Sequence, residues 1–228
     1  MGQYDKKGTY SGYKKNNKER QAEDYYATPT AEVTNILEIE GLDIYTVEGI
    51  RTHYTILEPC VGGGHMLQCI INYADNNGKK LDITIRDIKD RNPNWIQNTT
   101  NTNIFKPEYG QDFLADDYPT EKFDYVIMNS PFSTIEPFCL RALELTKHKL
   151  IMFGRTKFIE GIARYNNIFS KIPPQRMYQY IERVACAKDG NFNQKLNSVE
   201  ANAWYVWDLD DPNFGKSTTT ELHWIHRK

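Results

Sequence analysis

The stretch that most constrains this chain is ILEPCVGGGHML, residues 56–67. A short β-type run (54–58) stops at Pro59. Three glycines, Gly62, Gly63 and Gly64, then lead directly into a segment with helical apolar spacing (65–78) that Asn76-Asn77-Gly78 closes. Strand, glycine turn and helix make the first half of a βαβ unit. In open α/β sheets ligands sit beyond the carboxyl ends of the strands, near the point where strand order reverses. Glycine there lets backbone approach a ligand where a side chain would collide. The spacing is not GxGxxG and no Lys-Ser/Thr follows, which excludes a dinucleotide fingerprint and a phosphate loop. What remains is Glu58-Pro59-x-x-Gly62-x-Gly64. A flexible turn explains the glycines; a ligand-binding turn also explains the acid and proline before them.

The rest of the chain repeats the alternation. Further strands are expected at 81–88, 123–128 and 148–154, and helices at 30–42, 135–147 and 157–172, the last stopped by Pro173-Pro174. Residues 89–110 read as loop with one weak helix. Strands at 176–184, 202–209 and 220–226 follow one another without helices. The order predicts an α/β fold, with right-handed crossovers and a parallel sheet through the first two-thirds and an antiparallel C-terminal edge.

At 228 residues the chain suits one domain, and no apolar run approaches a membrane span. Residues 1–23, rich in lysine and poor in apolar groups, are expected to be a solvated, disordered basic leader. Residues 24–228 are expected to form a single domain with no separate target-recognition domain. Cys60, Cys69, Cys139 and Cys186 are far apart, and neither they nor the five histidines show metal-ligand spacing. They read as reduced thiols of a cytoplasmic protein. A net charge of −2 does not by itself announce a nucleic-acid binder.

Three more segments hold candidate site residues. In DYVIMNSPF (124–132) an apolar strand stops at Asn129, Ser130, Pro131 and Phe132. All but Phe132 are turn formers, yet an amide and an aromatic can also face a substrate. Asp87 ends a strand where a ribose would need a carboxylate, and Asp90 competes for that role. Asp112 and Phe113 set an acceptor beside an apolar surface, as an adenine ring requires, though a loop acid and a core Phe are equally common. His65 either lines the site or simply starts its helix.

Taken in order, these segments resemble a class I S-adenosylmethionine-dependent methyltransferase of the adenine-N6 type, in its compact phage form. DYYATP (24–29) is similar to the Tyr-x-Thr-Pro segment that contacts the methionine end of the cofactor, which implies that role for Tyr26, Thr28 and Pro29. EPCVGGG resembles the glycine motif, implying cofactor contacts from Glu58, Pro59, Gly62 and Gly64. Asp87 resembles the ribose acid, and Asp112 with Phe113 the adenine-contacting segment. NSPF resembles the catalytic Asn/Asp-Pro-Pro-Tyr/Phe, with Ser130 in place of the first proline. The resemblance covers residues 24 to about 226. It implies a Rossmann-like fold with helices on both faces, S-adenosylmethionine as cofactor and an adenine in DNA as acceptor.

The residue types suit that chemistry. An exocyclic adenine amine is a poor nucleophile because its lone pair is delocalised into the ring. The Asn129 side-chain oxygen and the Ser130 carbonyl could accept its two N–H bonds, and Phe132 could stack on a base flipped out of the duplex. Sequence readout would fall to loops: residues 133–137, Arg155 with Lys157, and the 185–201 loop carrying Lys188, Asn191, Asn193, Gln194 and Lys195. Two other readings fit the same residues: methylation of RNA adenine or a protein glutamine amide, and a module that kept the fold but lost turnover.

Overall fold

A computed structural model describes residues 25–91, 96, 99, 101–104, 107–115, 117–193 and 200–228. The leader expected over 1–23 lies outside the described residues, as do Gln194 and Lys195.

The elements run β1 (Tyr26–Ala27), α1 (Thr30–Glu40), β2 (Tyr45–Thr46), β3 (Gly49–Ile50), β4 (His53–Glu58), α2 (His65–Asn76), β5 (Lys80–Asp87), β6 (Thr102–Ile104) and β7 (Glu108–Tyr109). They continue with β8 (Phe123–Asn129), α3 (Ile135–Leu145), β9 (Thr146–Arg155), α4 (Ile162–Arg164), β10 (Arg176–Tyr180), β11 (Ala187–Lys188), β12 (Asn202–Asp208) and β13 (Glu221–Ile225). The main sheet has the order β13-β10-β12-β9-β8-β4-β5-β6, with β7 also pairing β5. From β4 the chain extends first toward β5 and β6, then returns to β8 and β9 on the other side. The strand order therefore reverses at β4, and a crevice opens above its carboxyl end.

The strands alternate between two cores. Tyr54, Ile56, Tyr125, Ile127, Ile151, Phe153, Trp204 and Val206 face α1 and α2. Leu57, Val126, Met128, Leu150, Met152, Ala203, Tyr205 and Trp207 face α3. Helical spacing supplies the other half of each core: Val33, Ile36 and Leu37 with Met66, Leu67, Ile70 and Ile71 on one side, and Ile135, Phe138, Cys139, Ala142 and Leu145 on the other. Gly41 ends α1 as expected, with φ at 65° and its N–H donating to the Leu37 carbonyl at 3.0 Å.

Three expectations need correction. The antiparallel strand is interior: β12 runs antiparallel to both β9 and β10, while the edge strand β13 is parallel to β10. The reason lies in composition. Residues 203–207, AWYVW, are apolar on both faces and need cover and a neighbouring strand on each side, whereas β13 leaves Leu222 and Trp224 exposed. Second, the helix expected over 157–172 is broken into a 3-10 turn at Thr156–Ile159, a short α4 and a π-turn at Tyr165–Phe169. Gly161, at φ 113°, interrupts it in a conformation closed to most residues. Third, the polar 89–110 stretch contributes the short strands β6 and β7, and no helix among its described residues. Two or three residues are too few to show a period; pairing with β5 makes them strands.

A buried ion network joins α1 to the sheet. The Glu40 carboxylate, its side chain 2% exposed, accepts from Arg176 Nε at 2.6 Å, Arg176 Nη2 at 2.8 Å, Lys149 Nζ at 3.0 Å and the Tyr178 hydroxyl at 2.6 Å. Burial alone would raise the Glu40 pKa, but these donors and charges bring it down to about 2. No helix among the described residues is long and apolar enough to cross a membrane. No group of three or more His, Cys, Asp or Glu among them could hold a metal ion.

Replacing one partner of a buried pair strands the others, so Glu40→Gln is expected to lower stability by about 3 kcal/mol in urea unfolding at neutral pH. Because the folded pKa is depressed, the unfolded chain binds the extra proton. The wild type should therefore lose stability as pH falls from about 4.5 toward about 2, and Glu40→Gln should show a shallower loss over the same interval.

Candidate active site

The carboxyl ends of β4, β5 and β8 deliver Glu58, Asp87 and Asn129 to one crevice. It encloses a cavity of about 380 Å³. Its lining includes Tyr26, Thr28, Glu58, Pro59, Asp87, Asp112, Phe113, Asn129, Ser130, Pro131 and Phe132. Of the residues expected at the site, Pro29, Gly62 and Gly64 are not on the wall. Pro29 is the N-cap of α1, and the two glycines shape the loop behind Val61.

That loop is left-handed at two positions: Gly62 has φ 55° and Gly64 φ 82°. The Gly62 N–H donates to Asp87 Oδ2 at 2.8 Å, so the turn after β4 is tied to the end of β5. Asp87 Oδ1 also accepts from the Lys89 N–H at 3.0 Å and from Arg91 Nη1 at 3.2 Å. A carboxylate offers roughly four acceptor sites. Three are in use, so one ligand hydroxyl can be taken without displacing any partner. Asp87 is 5% exposed and lines the cavity; Asp90 is exposed and does not line it.

Glu58, 2% exposed, has an Oε2 with no hydrogen-bond partner. Burial, reinforced by the Asp87 charge, pushes its carboxyl well above the usual carboxylate range. A cationic ligand would offset both, because an opposite charge favours the ionised form.

Asn129 ends β8 beside Phe153 of β9. Its Nδ2 donates to the Tyr26 carbonyl at 2.8 Å and to Thr28 Oγ1 at 3.0 Å, while Oδ1 has no partner. The Cys60 thiol donates to the Asn129 carbonyl at 3.3 Å. Ser130 is buried, and its hydroxyl is unpartnered as well. The Phe132 ring lies 5.8 Å from that of Tyr26, and the Arg155 guanidinium carbon is 4.4 Å from the Phe132 centroid. Asp112 spends Oδ1 on the Leu114 N–H at 3.0 Å. Phe113 packs between Tyr118 and Phe138 at 5.0 and 4.9 Å, so it is both core and cavity wall.

Tyr25 and Arg91 line the cavity without a sequence signal. The Tyr25 ring covers the glycine turn: a Cβ on Gly62 would lie 2.2 Å from Tyr25 Cε2, and one on Gly63 2.8 Å from its hydroxyl. The Arg91 guanidinium carbon sits 4.9 Å above the same ring. The Tyr25 hydroxyl is 3.0 Å from His65 Nδ1, and burial lowers the His65 pKa, which favours a neutral, accepting imidazole. His65 thus both starts α2 and lines the cavity. Two glycines and a tyrosine adjacent in space but 37 residues apart in sequence leave no local pattern.

No family model matches the sequence, and no curated protein matches it. Solved structures do match the fold. A Listeria monocytogenes protein assigned to the class I S-adenosylmethionine-dependent methyltransferases superposes with a TM-score of 0.61 at 14% identity, over 89% of this chain and 66% of its own. The M protein of the type I restriction enzyme EcoKI superposes at 0.59 and 10% identity, over 89% of this chain and 49% of its own. A Streptococcus thermophilus protein described as a hemolysin gives 0.51 and 8%, over 85% and 67%. The fold is the Rossmann-like class I methyltransferase fold, with a mostly parallel sheet and helices on both faces. The chain spans less than two-thirds of the first of these proteins and about half of the EcoKI protein. Fold alone does not fix activity.

Gly62→Ala should drive Tyr25 off the glycine turn and add left-handed strain, lowering stability by about 1–3 kcal/mol in urea unfolding. In Tyr25→Ala/Gly62→Ala the collision is gone. The second substitution should then cost less than it does alone, a coupling that a double-mutant cycle reads directly.

Proposed function

We propose that this protein is an S-adenosylmethionine-dependent methyltransferase acting on the exocyclic N6 amine of an adenine flipped out of DNA. The observation that carries the reading is Asn129: its amide nitrogen is held by Tyr26 and Thr28, and its oxygen is buried at the cavity with nothing to accept from. A buried acceptor without a donor costs about 1–3 kcal/mol. A planar amino group supplies that donor.

The cavity fits the cofactor chemically. Glu58 offers an unpartnered buried carboxylate oxygen to a positive charge, and Asp87 retains one acceptor site for a ribose hydroxyl. Tyr26 and Thr28 would hold the methionine end, and Asp112 and Phe113 the adenine end; all four line the cavity. S-adenosylmethionine supplies a methyl group already activated as a sulfonium. The chain's own residues then do three things. The Asn129 oxygen and the Ser130 carbonyl accept the two N–H bonds of the target amine and draw its lone pair out of conjugation. Phe132 stacks on the base, its ring backed by the Arg155 guanidinium. Neither acceptor is basic, so the proton leaves the amine after transfer. Alignment does most of the work. That one fold neighbour is the M protein of a type I restriction enzyme favours DNA among the possible acceptors.

The test is transfer of labelled methyl to unmethylated duplex DNA, followed by nucleoside analysis. N6-methyladenine is expected, with Asn129→Ala reducing kcat by about 100-fold or more, as for loss of a preorganised polar group. Phe132→Ala should cost about 1–3 kcal/mol in kcat/KM through lost stacking. Label in RNA or glutamine instead would move the acceptor, and cofactor binding without transfer to any of the three would overturn catalysis.

A further inference from the structure

A side-chain amide at a strand end has two orientations of nearly the same shape, and only one offers its oxygen to an amine. In this chain the choice is not free. The Tyr26 carbonyl can only accept, and it lies 2.8 Å from Asn129 Nδ2. Thr28 Oγ1 takes the second N–H at 3.0 Å and is itself only 3% exposed. Turning the amide over would set oxygen against oxygen at the Tyr26 carbonyl.

Both acceptors belong to one strap, residues 25–28, whose position is fixed from elsewhere. Tyr26 and Ala27 pair antiparallel with Lys188 and Ala187, and the Asp189 N–H donates to the Tyr25 carbonyl at 2.9 Å. Tyr25 lies on the glycine turn, with its hydroxyl at His65. The strap thus spans β11, the glycine turn and the end of β8. We infer that it is a positioning element for Asn129, with the Tyr26 carbonyl and the Thr28 hydroxyl as its positioning groups, and that it makes asparagine rather than aspartate obligatory at position 129. The inference rests on the proposed function only in taking Asn129 as the amine's acceptor. The fixed amide stands without it.

Aspartate at 129 has a distinct signature. An ionised carboxylate would face the Tyr26 carbonyl and be repelled. A protonated one can donate its O–H to that carbonyl and present its C=O where the amide oxygen was. Asn129→Asp is therefore expected to lose about 100-fold in activity at pH about 8 and to recover as pH falls toward about 5.5, whereas the wild type shows no such rise.

Two arms test this. In the cofactor-free protein, the Asn129 side-chain NH₂ signals are identified by their disappearance in Asn129→Asp. They should exchange with solvent at least about tenfold more slowly than exposed amides, in the wild type and in Thr28→Ser, and about tenfold faster in Thr28→Val. In the transfer assay, Thr28→Val should lower kcat about tenfold, and Thr28→Ser should restore it. Exchange of the wild-type signals at the rate of an exposed amide would overturn the inference. So would Asn129→Asp with near-wild-type activity and a flat pH profile. Should Thr28→Val fail to fold, the wild-type exchange rate and Asn129→Asp still decide. Slow exchange in a protein that methylates no DNA would reject the proposed acceptor and leave the strap intact.

Discussion

Three polar groups at the carboxyl ends of β4 and β8 are buried without partners: Glu58 Oε2, Asn129 Oδ1 and Ser130 Oγ. Each costs about 1–3 kcal/mol, against a total stability of about 5–15 kcal/mol for an ordinary domain. All three residues line one cavity. The rest of the architecture makes this tolerable. Two apolar cores clamp the parallel strands from either face, and the ion network at Glu40 locks α1 to β9 and β10. The sheet can then hold its strand ends still with polar groups unsatisfied, so that a ligand, rather than the protein, completes them.

The crevice walls depend on one another. Asp87 holds Gly62, Gly62 leaves room for Tyr25, and the strap that begins with Tyr25 goes on to hold Asn129. A side chain at Gly62, in the turn after β4, would act on Asn129 at the end of β8 through Tyr25 and the strap. Such coupling needs no moving part. It follows from a turn without side chains that a ring has filled.

Much of this was legible in the chain itself. Apolar periods located α1, α2, α3 and the strands β4, β5, β8, β9, β10, β12 and β13, because burial on one face or two leaves a repeat of 3.6 or 2 in the sequence. The segments around Glu58, Asp87, Asp112 and Asn129 could be singled out because strand ends, glycines and turn formers mark where side chains meet a crevice, whereas Tyr26 was implied only by the resemblance. The strands β6 and β7, the break at Gly161 and the interior place of β12 needed the folded molecule, since pairing between distant segments decided them. The same holds for Tyr25 over Gly62, for the burial of Asp87 beside an exposed Asp90, and above all for the Asn129 amide. Sequence set which polar groups this protein carries at its strand ends. Only the tertiary structure decided which way they face, because that is fixed by hydrogen bonds across about 100 residues of chain that no local pattern encodes.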